Sequence, residues 1–171
     1  NLVADGEIQE VSVVGPRRFR DYSGLLANYL IITHDHLQQG EDYVGQYAQY
    51  RSSAEGGSHQ VEILDISELY EQFAYGISRH PVAVRNVVHY LLRRGVSLEY
   101  CFLVGKGREY NQVRRGNALE SAIQQHQMLV PSFGTPPSDN LMLAWPGDAV
   151  ASLVHGRVAA TGPEDVRIYL E

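Results

Sequence analysis

The side chains of this sequence that could do chemistry are few and scattered. Its single cysteine, Cys101, could act as a nucleophile only as an accessible thiolate within reach of a histidine. Cys101 stands instead between Tyr100 and Phe102 in an apolar run. This pattern predicts a buried, unreactive cysteine.

Two histidines flank a carboxylate directly after the first long apolar run. His34 and His36 stand two residues apart with Asp35 between them, and imidazoles at that spacing can bind a metal if a third ligand joins them. No third ligand follows in a recognisable pattern, so we predict neither a metal nor a cofactor. We take His34, Asp35 and His36 as candidate binding residues because polar side chains stand there where a strand is expected to end.

Two further candidate binding residues are Lys106 and Asp139. Gly105-Lys106-Gly107 lacks the glycine spacing of a dinucleotide-binding loop and the Gly-Lys-Ser/Thr of a phosphate-binding loop, which indicates a turn. Asp139 follows Ser138 in a proline-rich stretch, where a lone aspartate more often forms a turn than a catalytic site. We predict no catalytic residue in this chain.

Alternating strands and helices would position these residues. Continuous apolar runs predict buried strands, and helical spacing with glycine and proline punctuation predicts the helices between them. The predicted strands are 28–33, 61–66, 98–104 and 153–158. The predicted helices run from Leu37 to Glu55, from Asp65 or Ser67 through Phe73 to Gly76, from Pro81 to Gly95, and from a Thr161 cap through Pro163 and Glu164.

This order predicts an α/β fold with three layers, in which a mostly parallel sheet of flavodoxin-like or Rossmann-like form carries helices on both faces. A ligand would bind beyond the carboxyl ends of the strands. Residues 1–27 are predicted to be a linker or edge strand from a preceding domain, and 28–171 the domain itself, with a loop-rich insertion at 108–150. The predicted interior comprises Ile31, Ile32, Ile63, Phe102, Val104 and Val154, with Val84, Val88 and Leu91 packed against one face.

Composition excludes several classes of function. With 171 residues, 44% hydrophobic and 20% charged, the chain is an ordinary globular domain. Its net charge of −6 argues against nucleic acid as a partner, and its apolar runs are too short to span a membrane. The first residue is Asn1, so we expect any targeting signal to lie outside this sequence.

An ordered series of segments carries a family resemblance. The segments are Tyr29 to His34, Tyr47 to Arg51, Val61 to Ile66, Leu69 to Gly76, Pro81 to Asn86, Tyr100 to Gly105, Val130 to Ser132, Ser138-Asp139, and Gly156-Arg157-Val158 before a Pro-Glu helix. The most specific part is the stretch of tyrosine and acidic residues that contains Phe-x-x-Gly, followed by the Pro-x-Ala-x-Arg helix. Together these segments resemble the gingipain-type cysteine peptidase family, and most closely its sortase-like, PorU-like members from the type IX secretion system of Bacteroidetes.

The resemblance, over residues 28–171, implies the first subdomain of a caspase-like peptidase. It implies that the catalytic histidine, in a Gly-His-Gly context, and the catalytic cysteine follow beyond Glu171. Partners would be that downstream catalytic subdomain, secreted protein substrates and other secretion proteins, at the cell surface, outer membrane or periplasm. Relatives usually carry Gly-Asp where this chain has Gly105-Lys106, which puts a calcium site there in doubt, because an ammonium replaces an oxygen ligand.

Three hypotheses follow. The chain could be the non-catalytic first half of a cysteine peptidase or transpeptidase that removes carboxy-terminal sorting domains from secreted proteins. It could instead be a degenerate, non-enzymatic docking module of the secretion machinery. A free-standing flavodoxin-like ligand binder is less well supported, since the sequence has no loop that would cradle a phosphate.

Overall fold

A computed structural model of the chain describes residues 19–109 and 127–170. Most of the predicted linker at 1–27 and part of the predicted insertion at 108–150 therefore lie outside the described residues.

The described chain alternates strands and helices in the predicted order. Its strands are β1 (Tyr29–Thr33), β2 (Val61–Asp65), β3 (Tyr100–Val104) and β4 (Val154–Val158). Its helices are α1 (Tyr43–Ser52), α2 (Ile66–Phe73), α3 (Val82–Arg93), α4 (Asp139–Leu143) and α5 (Pro163–Leu170), with a short 3-10 helix at Asp35–Gln38.

The four strands form one sheet in the order β2-β1-β3-β4, and all three pairings are parallel. Ile31 of β1 stands opposite Ile63 of β2 on one side and Phe102 of β3 on the other. The chain moves outward from β1 to β2 and then crosses to the opposite side of β1. The predicted α/β class with a parallel sheet is thus confirmed, and the order of strands reverses between β1 and β3.

Side chains alternate between the two faces of the sheet, and each face has its own apolar core. On one face Leu30, Ile32 and Leu103 pack with α2 and α3, whose fully buried members include Val84 and Leu91. On the other face the core joins β1 and β3 to α1 and α5, and its members include Tyr29, Ile31, Phe102, Val104, Val44 and Val166. Helices cover both faces, as predicted.

One predicted interior position is wrong and a second is only partly confirmed. Val154 is 66% exposed, and Ile63 is only partly buried. Both lie on outer strands, since β2 and β4 each pair with a single neighbour in the described sheet. An apolar run in the sequence does not distinguish an outer strand from a central one, which is why the prediction failed there.

The first crossover helix is shorter than its spacing predicted. Gly40, at φ +77°, breaks the run, so Leu37 belongs to the 3-10 helix and α1 begins only at Tyr43. Asp42 caps α1, because its Oδ1 accepts a hydrogen bond from the Gly45 amide at 2.9 Å.

Thr161, the predicted cap of the last helix, is held by a carboxylate of that helix. The backbone amide and the hydroxyl of Thr161 both donate to Asp165 Oδ2 at 2.8 Å. Glu164, three residues after Thr161, accepts from Arg167 Nε at 2.9 Å. Helix α5 begins at Pro163, as the sequence predicts for proline in a first turn.

Candidate functional site

Polar loops gather at the carboxyl edge of the sheet. β1 and β3 are neighbours, and the chain leaves them toward opposite faces of the sheet. A crevice forms where adjacent parallel strands diverge in this way, and ligands of α/β proteins bind there. Four of the five predicted binding residues, His34, Asp35, His36 and Lys106, lie in the loops that leave these two strands.

His34, Asp35 and His36 are brought together in one turn. His34 caps the 3-10 helix, and its Nδ1 lies 3.1 Å from the His36 amide nitrogen and 2.6 Å from Asp35 Oδ1. One ring nitrogen of His34 thus contacts both the backbone of His36 and the side chain of Asp35.

Asp65, the last residue of β2, ties this turn to the next helix. Its Oδ2 accepts from the Asp35 amide at 2.8 Å, and its Oδ1 accepts from the Ser67 and Glu68 amides at 2.7 and 3.3 Å. It thus caps α2 and fixes the loop after β1 at the same time. The Asp65 side chain therefore links the loop after β1 to the helix that follows β2.

Lys106 is held by its backbone. Its amide donates to the Ala160 carbonyl at 2.8 Å, and its carbonyl accepts from the Leu129 and Val130 amides at 3.0 and 3.3 Å. The Lys106 loop is therefore fastened on one side to the chain after β4 and on the other to the segment at 128–132. Its side chain is partly exposed at this edge.

Asp139, the fifth predicted residue, is not the lone turn carboxylate that the sequence indicated. It opens α4 and forms a bidentate pair with Arg157 of β4, at 2.7 Å from Nε to Oδ2 and 2.8 Å from Nη2 to Oδ1. Ser132 Oγ donates to Oδ1 at 2.8 Å. Burial alone would raise the pKa of Asp139, but the hydrogen bonds and charge of Arg157, with the Ser132 bond, lower it.

Arg157 is the organising residue that sequence reasoning missed. Besides Asp139, its Nη1 donates to the carbonyls of Gly105 at 2.6 Å and Val130 at 2.8 Å, and its Nη2 donates to Pro131 at 3.1 Å. All five guanidinium hydrogens thus have acceptors. The sequence did contain a sign of this role. Arg157 lies inside a predicted strand, and a buried charged side chain needs a partner.

A small cleft of about 140 Å³ opens at the same edge, between His34 and helix α2. Tyr70 is 6% exposed, and its hydroxyl has no hydrogen-bond partner among the described residues. Burial raises the pKa of this phenol. The lining residues are His34, Ser67, Tyr70, Glu71, Ser78, Arg79, Met128 and Leu129.

Cys101 takes no part in this edge. It is the second residue of β3, is 1% exposed and belongs to the core beneath α2 and α3. Burial raises the pKa of the thiol to about 12, so the thiolate that a nucleophile requires is not formed near neutral pH. The prediction of a buried cysteine is confirmed.

No group of three or more His, Cys, Asp or Glu side chains able to hold a metal occurs at residues 19–109 or 127–170. Nor does any helix in the described part of the chain have the length and apolar character that crossing a membrane requires.

Fold and site together define a three-layer α/β domain with a rigid, hydrogen-bonded carboxyl edge and a buried cysteine. The family model of peptidase family C25 matches residues 24–171. The chain therefore belongs to this family, which is the gingipain family of cysteine peptidases. No curated protein sequence matches the chain.

Its fold is also similar to that in the crystal structure of dimeric latent PorU from Porphyromonas gingivalis. The TM-score is 0.62 at 15% sequence identity, over 85% of this chain and 15% of the PorU chain. At that identity the likeness concerns the fold. The chain thus corresponds to a small part of the length of the protein that it matches.

Proposed function

We propose that this chain is the non-catalytic first half of a gingipain-type cysteine peptidase domain, and that a downstream subdomain supplies the catalytic histidine and cysteine. The observation that carries the proposal is the position of Cys101. The chain has one cysteine, and it is 1% exposed in the central part of the sheet. A member of a cysteine peptidase family whose only thiol is buried needs a nucleophile from another part of the protein.

In this proposal the chain acts as a platform for the catalytic half. The carboxyl-edge loops are suited to line a cleft because Asp65 and Arg157 hold them from several directions. The outer edge of β4 pairs with no strand in the described sheet. Val150 and Val154 beside it are 76% and 66% exposed. Such an open, apolar edge suits the docking of the downstream subdomain.

We further propose that the whole protein removes carboxy-terminal sorting domains from secreted proteins at the cell surface, outer membrane or periplasm, alongside other type IX secretion proteins. The ordered resemblance of the sequence to sortase-like gingipains supports this substrate class. Family membership supports a peptidase-related role for the whole protein.

The test uses the whole protein and a fusion substrate that ends in a sorting domain, with cleavage followed by mass spectrometry. A Cys101→Ala variant should keep its activity, and a thiol alkylating reagent should still abolish it, because the nucleophile lies elsewhere. Thermal unfolding of the variant serves as the control for folding. Loss of cleavage by a Cys101→Ala protein that unfolds like the wild type would overturn the proposal.

The docking-module alternative gives a different result in the same assay. A degenerate protein would bind the fusion substrate without cleaving it, and alkylation would leave that binding unchanged. Cleavage by the wild-type protein excludes this alternative.

A further inference from the structure

A groove of about 530 Å³ runs along the outer side of α3. Arg85, His89 and Arg93 follow each other at intervals of four residues, so they form one stripe along the helix. Arg94 and Tyr90 lie beside this stripe, and Pro146 closes the groove from the loop after α4. We call these residues the α3 groove.

Aromatic rings hold the three arginines of the α3 groove. The guanidinium of Arg85 lies 4.4 Å from the centroid of Phe133, that of Arg93 lies 5.3 Å from Trp145, and that of Arg94 lies 5.6 Å from Tyr90. Each distance is within the range of a cation–π interaction. These contacts orient the cations without neutralising them.

None of the three arginines forms an ion pair with a carboxylate of residues 19–109 or 127–170. Arg85 donates only to backbone carbonyls, as at 2.9 Å to Leu141. Asp21 interacts electrostatically with Arg94 but forms no ion pair with it. The Asp21 carboxylate accepts hydrogen bonds from the backbone amide and the hydroxyl of Ser23. Arg85 and Arg93 thus keep their charge without a carboxylate partner in the described part of the chain, although the sequence has 20 acidic residues against 14 lysines and arginines.

His89, the middle residue of the stripe, lines the groove and has one buried ring nitrogen without a hydrogen-bond partner among the described residues. It is 6% exposed, and its Nε2 has no hydrogen-bond partner among the described residues. Its ring stacks on Trp145 with centroids 4.0 Å apart and planes at 18°. A buried polar atom without a partner costs free energy unless a ligand satisfies it.

We propose that the α3 groove binds an acidic peptide segment of a partner protein. Carboxylates would pair with the exposed guanidinium groups of Arg93 and Arg94 and with the charge of Arg85, while apolar side chains of the segment would pack on Pro146 and Tyr90. Eight residues of helix separate Arg85 from Arg93 by about 12 Å, and an extended peptide covers that distance in roughly four residues.

The alternative polyanion, a nucleic acid, fits less well. Phosphate backbones are bound through larger basic surfaces, and this groove carries three arginines on a chain of net charge −6. This inference does not rest on the proposed peptidase function, because the groove contains none of the carboxyl-edge residues.

Binding is measured by fluorescence anisotropy of a short fluorescein-labelled peptide in which glutamates alternate with leucines, titrated with the purified chain. We expect saturable binding that weakens with salt, and no binding of the matched peptide with glutamine for each glutamate. The chain has one tryptophan, Trp145, so a concurrent change in its intrinsic fluorescence places the peptide in the groove.

The combined variant Arg93→Gln and Arg94→Gln should raise Kd about tenfold or more, since charge-assisted hydrogen bonds are lost. Arg167→Gln, on α5 at the other face of the sheet, removes an arginine charge outside the groove and should change Kd less than about twofold. Circular dichroism and thermal unfolding confirm that each variant is folded.

Three results would overturn the proposal. The first is an absence of peptide binding by the wild-type chain. The second is an equal loss of affinity in the Arg167→Gln variant and the combined variant, which would show an effect of net charge alone. The third is tighter binding of a short single-stranded oligonucleotide than of the peptide at the same salt concentration.

Discussion

Arg157 and Asp139 meet in a two-point pair, with Nε 2.7 Å from Oδ2 and Nη2 2.8 Å from Oδ1. The same guanidinium reaches the carbonyls of Gly105 and Val130. A single side chain of β4 thus joins α4, the exit of β3 and the segment at 128–132. This arrangement makes the pair the main polar support of the carboxyl edge.

Replacing Arg157 by methionine should destabilise the chain by roughly 3 kcal/mol, because it leaves a largely buried carboxylate and several carbonyls without donors. Urea unfolding followed by circular dichroism measures the change. Arg167→Met, which breaks a more exposed pair, should have a much smaller effect. Equal effects of the two substitutions would contradict the supporting role of Arg157.

Asp139 should make the stability of the chain sensitive to acid. Its pKa is lowered in the folded state, so its stabilisation is fully present above its unfolded pKa of about 3.9 and is lost as the pH falls through the folded value. Unfolding midpoints measured between neutral and strongly acidic pH should fall less steeply in Asp139→Asn than in the wild type. Asp148→Asn, at an exposed position, is the control and should retain the wild-type slope.

Leu91 is fully buried between α3 and the sheet. Leu91→Ala should reduce the free energy of unfolding by roughly 2 to 5 kcal/mol, through lost apolar burial and the cavity that remains. Leu141 is 39% exposed, so Leu141→Ala should have a much smaller effect. Similar midpoints for the two variants would mean that this face of α3 is not packed as described.

The Cys101 thiol should react with a small alkylating reagent only when the chain unfolds. Burial raises its pKa to about 12, and its exposure is 1%, so neither thiolate nor access is available in the native state. Mass spectrometry of timed samples, with and without urea, measures the rate. Rapid labelling without urea would contradict the burial of β3.

His89 should make the chain less stable below neutral pH. Its pKa is lowered by burial and by the charges of Arg85 and Arg93, so the unfolded chain binds a proton more readily than the folded one. The contribution of neutral His89 to the free energy of unfolding is therefore fully present above the unfolded pKa of about 6.5. It decreases as the pH falls from there toward the pKa of His89 in the folded chain. His89→Gln should flatten this part of the profile, and His36→Gln, at an exposed position, should leave it unchanged.

The sequence predicted the central elements well because they carry strong periodic signals. Val84, Val88 and Leu91 repeat at helical spacing, and the apolar runs of β1 and β3 have the length of buried strands. These periodic signals were sufficient to predict the fold class and the burial of Cys101.

The remaining features depend on contacts between distant residues. Nothing in the spacing of Asp139 and Arg157 shows that β4 brings them together, and Trp145 gives no sign in the sequence that it stacks on His89. The exposure of Val154 depends on the order of the strands, which a linear pattern of apolar residues does not encode. Local signals predict elements, whereas the site arises from their assembly.

The parallel pairing of β3 with β4 has a kinetic consequence. β3 ends at Val104 and its partner begins only at Val154, so the sheet is completed by closing a long loop. Non-local pairings of this kind slow folding, and we expect docking of β4 to be a late step. Each doubling of loop length adds only about 0.6 kcal/mol of closure entropy. Related chains can therefore carry a longer segment between these strands at little cost in closure entropy.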